Sequence, residues 1–110
     1  MEIDQSVEKH FAVGELVMHR YEGYRAVIYD VDPDFCMSDK WYSQHANGHP
    51  PAKEQSWYHV LVHGTGEAAY VPEEFLCRDS STAPISHPLV GRYFNAFDCG
   101  VYRPSRLPSY

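Results

Sequence analysis

No run of apolar residues in this 110-residue chain reaches the roughly 20 positions that a membrane-crossing helix needs. Cysteine is scarce too: Cys36, Cys77 and Cys99 are odd in number and far apart. The opening stretch from Met1 to His10 is polar and mostly acidic, unlike a positively charged segment followed by an apolar one. A disulfide framework is therefore not expected, and reduced thiols in a cytoplasmic chain are. Positive charge is the next shortage, with 9 Lys and Arg against 15 Asp and Glu, a net charge of −6. Proteins that hold nucleic acid through its phosphates carry a basic face, so this balance counts against a general phosphate-binding surface. A glycine-rich phosphate loop is missing as well: Gly14, Gly23, Gly64 and Gly66 are spaced as turn glycines. Internal repeats and low-complexity tracts are also absent.

Hydrophobic residues make up 44% of the chain and aromatics 15%, enough for one folded domain with one core. Nine tyrosines offer apolar rings that keep a hydroxyl for water or a partner. The acidic balance is uneven. From Arg92 onward, Arg92, Arg103 and Arg106 face only Asp98, and they alternate with Tyr93, Phe94, Tyr102 and Tyr110. Any nucleic-acid contact is expected to be local to this stretch.

Met1 to His10 reads as a flexible leader. Val13 to His19 reads as a short strand beside a glycine, Arg20 to Gly23 as a turn, and Tyr24 to Val31 as a longer β-branched and aromatic strand, which together predict a hairpin. Phe35 to Ser56 carries Asn47-Gly48 and Pro50-Pro51 and reads as a long surface loop with one short ordered piece around Trp41. Trp57 to His63 is the strongest strand, turning at Gly64 to Gly66 and returning through Glu67 to Val71. Pro72 to Leu76 predicts a single helical turn led by proline, with acids at its positive end. After a Ser/Thr-rich linker, Val90, Tyr93, Phe94 and Phe97 recur at helical spacing, which predicts a helix over Ser86 to Phe97 ending near Asp98-Cys99-Gly100. The expected fold is mainly β: a small SH3-like antiparallel barrel with a C-terminal helix. Its parts are a leader over 1–10, a barrel over 11–78, and a linker, short helix and tail over 79–110 packed on or near the barrel. Val17, Val27, Ile28, Val60 and Val62 are its expected core.

Seven histidines invite a metal hypothesis. His45 and His49 stand in a Gly/Pro loop, His59 and His63 are too far apart along a strand to share an ion, and no two short-spaced Cys/His pairs exist, so no metal and no cofactor are expected. The cysteines have no nucleophile elbow around them and read as small buried hydrophobes. Asp30-Val31-Asp32-Pro33-Asp34 lacks the glycine and closing glutamate of a calcium loop, and Glu73-Glu74 suits a helix start. Trp57 and His59 share one strand face, with Tyr58 on the other.

Three blocks, taken in order, resemble a known family. They are Phe11-x-Val13-Gly14-x-x-Val17-x-His19 running on to Gly23-Tyr24-x-Ala26-Val27-Ile28-x-x-Val31-Asp32-Pro33, then Ser56-Trp57-Tyr58-His59-Val60-Leu61-Val62, then Tyr70-Val71-x-Glu73-x-x-Leu76. Together they resemble the YccV-like family, also called the hemimethylated DNA-binding or heat shock protein HspQ family. The resemblance implies an SH3-like barrel without catalytic activity, binding to hemimethylated DNA, and a stress role in adjusting which substrates the ATP-dependent protease Lon degrades. Related domains at the end of certain F-box proteins fit a link to protein turnover. The loop around Asn47 to Pro51 and the tail after Leu76 depart from the family pattern, and loops on a rigid scaffold select partners. The expected function is a non-enzymatic, stress-linked regulator of protein degradation. Its partner would be an ATP-dependent protease or that protease's substrates, with hemimethylated DNA as the alternative, no membrane, and homo-oligomerisation compatible with the sequence. The candidate binding residues are Trp41, Tyr42, Trp57, His59, Arg103 and Arg106, with the loop from Phe35 to Ser56 as the docking element.

Overall fold

The computed structural model describes residues 10–45 and 50–105. Strands β1 (Leu16–His19) and β2 (Arg25–Asp32) form the first hairpin, and helix α1 (Asp39–His45) follows in the long connection. Strands β3 (Trp57–Val62) and β4 (Ala68–Pro72) form the second hairpin, and a 3-10 turn over Glu73–Phe75 leads into β5 (Leu76–Arg78). A four-residue helix α2 (Val90–Tyr93) precedes a third hairpin, β6 (Phe94–Asp98) and β7 (Val101–Pro104). The first five strands make one antiparallel sheet in the order β4-β3-β2-β1-β5, and β6-β7 stands as a separate two-stranded sheet. Among the described residues no helix is long and apolar enough to cross a membrane.

The mainly β, antiparallel expectation holds, while the closed barrel does not. Strand β4 pairs only with β3 and β5 only with β1, so no ladder joins the two ends of the sheet. Yet those ends are consecutive in the chain, linked by three residues. The four Cα steps from Pro72 to Leu76 span at most about 14 Å, so the end of β4 lies near the start of β5 although no ladder joins the two strands. Strand β5 is itself three residues long, too short to pair on both sides over any length.

The expected C-terminal helix is also corrected: only Val90–Tyr93 is helical, and Phe94 to Asp98 is a strand. The reason is a bulge. Phe94 pairs with Pro104 and Ala96 with Arg103, so β6 carries one extra residue at Asn95. An inserted residue resets the alternation of a strand and puts Phe94 and Phe97 on the same side, a spacing of three that imitates a helix. Asp98-Cys99-Gly100, read as a helix end, is instead the hairpin turn, with Cys99 at φ 54° and Gly100 at φ 77°. Two successive left-handed residues give a turn whose twist matches that of the flanking strands.

Each face of the main sheet buries its own cluster. One holds Phe11, Val17, Ile28, Tyr58, Val60 and Leu76; the other holds Leu16, Val27 and Leu61 against Ile85, Phe94 and Tyr102. Val17, Val27, Ile28 and Val60 are fully buried as expected, and Val62 is partly buried. Each such side chain contributes about 1.5–3 kcal/mol of transfer free energy. Buried hydroxyls are satisfied: Tyr58 accepts from the Phe11 amide and donates to Glu73, and Tyr102 accepts from the Ile85 amide. Partial burial raises the Tyr58 hydroxyl to about 12, with backbone and carboxylate partners secondary. His19, buried at the end of β1, accepts the Tyr21 and Glu22 amides on Nδ1 and so shapes the β1–β2 turn. Burial lowers its pKa despite the Glu22 carboxylate nearby. The cysteines depart from expectation, since Cys36 and Cys99 are exposed and only Cys77 is partly covered.

Gly14 joins the two sheets. Its amide donates to the Ile28 carbonyl at 2.8 Å, and its carbonyl accepts the Tyr102 amide at 2.9 Å. It sits at φ +96°, and a Cβ there would stand 2.1 Å from the Tyr102 backbone oxygen. Gly14→Ala therefore meets a backbone clash and a conformation that L side chains rarely adopt, and it should lose more than about 2 kcal/mol of stability. Urea melts read this directly: the same substitution at Gly23, where nothing lies within 4 Å of the added carbon, should show the conformational part alone and a smaller loss.

Candidate functional site

The surface that gathers chemistry lies at the β4 side of the sheet, and a second bulge builds it. Ile28 opposes Val60 and Asp30 opposes His59, so Tyr29 is the extra residue in β2. By simple alternation Asp30 and Asp32 would share the Ile28 face and enter the core. The inserted residue moves both to the face of Trp57 and His59 and leaves Val31 opposite Tyr58 in the first cluster. Across β3 and β4 the resulting rows run Asp32–Trp57–Pro72 and Asp30–His59–Tyr70.

Asp32 is the polar centre of this face. Its Oδ2 accepts from His59 Nε2 at 3.0 Å and from the Tyr70 hydroxyl at 2.8 Å. Tyr70 in turn accepts the Cys36 amide at 3.0 Å, which ties the long connection to β4. Desolvation opposes ionisation of Asp32, but the hydrogen bonds from Tyr70 and His59 and the His59 charge outweigh it and hold the carboxyl below its usual range. Desolvation and the Asp32 carboxylate push the Tyr70 hydroxyl up. Desolvation, then Asp32 and Asp34, push the Cys36 thiol up, the opposite of what an activated nucleophile requires.

Rings line the same face in sequence. Tyr29 and His59 centroids are 5.8 Å apart, His59 and Tyr70 4.6 Å, Tyr70 and Trp41 5.4 Å, and His45 stacks on Trp41 at 4.2 Å. Trp57 lies beneath, stacked on Tyr70 at 5.2 Å. A groove of about 590 Å³ passes along β4, with Trp41, His59 and Tyr70 on one wall and His19, Tyr24 and Phe75 on the other. Partial burial lifts the Tyr24 hydroxyl to about 12, with Glu22 adding to it.

The expected site residues separate on this geometry. Trp41 and Tyr42 both lie on α1, which buries no residue, and stand half-exposed. Tyr42 hydrogen-bonds the Pro51 carbonyl and carries the Lys53 ammonium 4.5 Å above its ring. Trp57 is buried at 1% exposure, and its indole N–H is the one buried side-chain polar atom among the described residues without a hydrogen-bond partner. His59 lies in the groove wall, half-buried. Arg103 is on β7, exposed, with Asp98 at 3.5 Å, and is not among the groove residues. Arg106 lies outside the described residues. Sequence reasoning missed Tyr29, Asp32 and Tyr70: the bulge in β2 brings the first two beside His59, and the β3–β4 ladder pairs Tyr70 with it. It also missed that Asp30, Asp32 and His59 place ligand atoms within 4.8 Å of one another, a set able to hold a divalent cation. Metal-site spacing was sought in pairs along the chain, and this trio assembles across two strands.

The sequence profile of the YccV-like family, described as hemimethylated DNA-binding protein YccV like, matches residues 9–101. The chain belongs to this family of binding domains. It is 35% identical over 106 residues to F-box only protein 21 of Pongo abelii, Mus musculus and Homo sapiens, with 92% of this chain and 17% of each relative covered. The chain thus spans about a sixth of the length of those curated relatives. No solved structure matches it.

The lowered Asp32 pKa fixes the sign of a pH effect. A carboxyl whose folded pKa lies below its unfolded value stabilises above the unfolded value, 3.8 here, and that stability is lost as pH falls through the folded value. Asp32→Asn keeps an acceptor for Tyr70 but loses the charge, so it should be about 1–2 kcal/mol less stable at pH 7. The gap to the parent should narrow as pH falls below 3.8 in urea titrations, and a gap that does not narrow with acid would contradict the assignment.

Proposed function

We propose that this chain is a non-enzymatic recognition domain that binds a protein partner in regulated, stress-linked proteolysis in the cytoplasm, adjusting which substrates an ATP-dependent Lon-type protease degrades. One observation carries the choice of a protein partner over a phosphodiester. Among the described residues, the groove beside β4 is lined mainly by aromatic, aliphatic and acidic side chains and three histidines, with no lysine or arginine. The positive charges elsewhere are largely engaged: of seven described Lys and Arg residues, Arg25, Lys53, Arg78 and Arg103 each face a carboxylate. The likeness to F-box proteins supports a place near protein turnover, and the five-stranded antiparallel sheet supplies a rigid frame with the long connection as its variable element.

Trp41 and Tyr42 test this reading. Since α1 buries no residue, the double variant Trp41→Ala, Tyr42→Ala should keep the parent's far-UV spectrum and show at most a small drop in melting temperature. It should lose most of the effect on substrate degradation in a purified assay with a Lon-type protease. A folded variant that acts like the parent would move docking off α1.

A second reading rests on the family description, which names hemimethylated DNA. With a net charge of −6, duplex binding should be weak at physiological salt and fall steeply as salt rises. Arg103→Ala and Arg106→Ala should weaken it further in fluorescence titrations with hemimethylated duplex. Tight binding indifferent to salt and to both changes would place the DNA surface elsewhere.

A further inference from the structure

The open edge of β4 and the groove along it have a definite chemical preference. Strand β4 pairs with β3 on one side only, and an edge strand presents unpaired amides and carbonyls to any extended chain that lies beside it. Both walls of the groove are contributed by the strand itself and by what flanks it. Ala68, Tyr70 and Pro72 point to the His59 face, Ala69 and Val71 to the other. The small side chains Ala68 and Ala69 leave the edge accessible. Proline at position 72 limits any added ladder to the residues before it.

Charge and ring chemistry then select the occupant. Asp32 accepts hydrogen bonds from both Tyr70 and His59, so a carboxylate stands directly behind two rings of the wall. Donating a hydrogen bond to a carboxylate enriches a phenol ring in electron density, which strengthens its attraction for a cation at the ring face. Asp30 is exposed on the same strand face, and Glu67 and Glu22 stand in the groove lining. Among the described residues no lysine or arginine lines the groove to compete for these sites. A phosphate or an acidic peptide would meet Glu22, Glu67 and Asp32 with no lysine or arginine among the described lining residues to offset them. A planar guanidinium or an ammonium would meet aromatic faces backed by a carboxylate.

We propose that the free edge of β4 takes an extended, basic segment of a protein partner as an added strand, seating one arginine or lysine side chain against Tyr29, His59 and Tyr70. The proposal rests on the protein-recognition reading above and specifies the chemistry of its ligand. In an added strand alternate side chains face the same way, so a second cation two residues from the seated one lies on the same face, with the intervening side chain directed to the His19, Tyr24 and Phe75 wall.

The test uses the full chain and three fluorescein-labelled peptides, Gly-Arg-Val-Arg-Val-Gly and its versions with both arginines replaced by alanine or by glutamate. The arginine peptide should bind at least about ten-fold tighter than the alanine peptide, and the glutamate peptide should not bind measurably. Amide shifts in a heteronuclear NMR titration should concentrate at Ala68 to Val71. Asp32→Asn, which keeps the acceptor, and Tyr29→Leu, at a half-exposed ring, should each weaken the arginine peptide about ten-fold while leaving the amide spectrum dispersed. Equal binding of the three peptides, no binding of any, or shifts confined to α1 would overturn the proposal. The degradation assay separates the two readings. An effect on proteolysis without arginine-peptide binding removes only the edge-strand proposal, whereas peptide binding without any such effect removes the proteolytic role and leaves the ligand chemistry standing.

Discussion

A single inserted residue in β2 decides what each face of the main sheet is for. Between Ile28 and Asp30 the ladder to β3 slips by one position, and every side chain beyond that point changes face. Without the slip, Asp30 and Asp32 would carry two carboxylates into the cluster that holds Ile28, Tyr58 and Val60, where uncompensated charge is prohibitively unfavourable. With it, Val31 fills that cluster, and the carboxylates meet His59 and Tyr70 outside it. The bulge thus protects the core and creates the polar centre of the groove by one backbone event.

The elements that rest on short-range pattern are legible in the sequence. Tyr24 to Val31 and Trp57 to His63 are dense in β-branched and aromatic residues and bounded by glycine turns, and both are strands. Pro72 followed by two glutamates gives the 3-10 turn. What the sequence conceals has a common origin. Both bulges break the period of two on which face assignment rests, so Phe94 and Phe97 imitate a helix and Asp32 hides its partnership with His59. Strand β5 has no local signature at all: Leu76, Cys77 and Arg78 become a strand only because β1 lies alongside them. The exposed Cys36 and Cys99 sit in a connection and a turn, where the burial preference of cysteine has no core to act on.

The site divides in the same way. His59 and the half-exposed α1 aromatics Trp41 and Tyr42 are recognisable from residue type and setting. Trp57 shares the face of His59 as the strand period requires, yet it supports the ring wall from below, stacked under Tyr70. Tyr70 and Asp32 needed the three-dimensional register, since they lie 38 positions apart in the chain. The acidic composition is visible in the sequence, but the meeting of Asp32 with His59 and Tyr70 is a property of the fold.

The contact between Gly14 and Tyr102 implies an uneven tolerance for change along the chain. The hairpin β6-β7 is held to the main sheet at a point where not even one methyl group fits, while the segment that delivers it, Asp79 to Pro84, is mostly exposed and has no regular structure. Closing a longer loop adds only about 0.6 kcal/mol per doubling of its length. Lengthening at the exposed positions of that segment, away from the Arg25–Asp79 ion pair and the buried Ile85, therefore costs little, whereas position 14 admits a single amino acid.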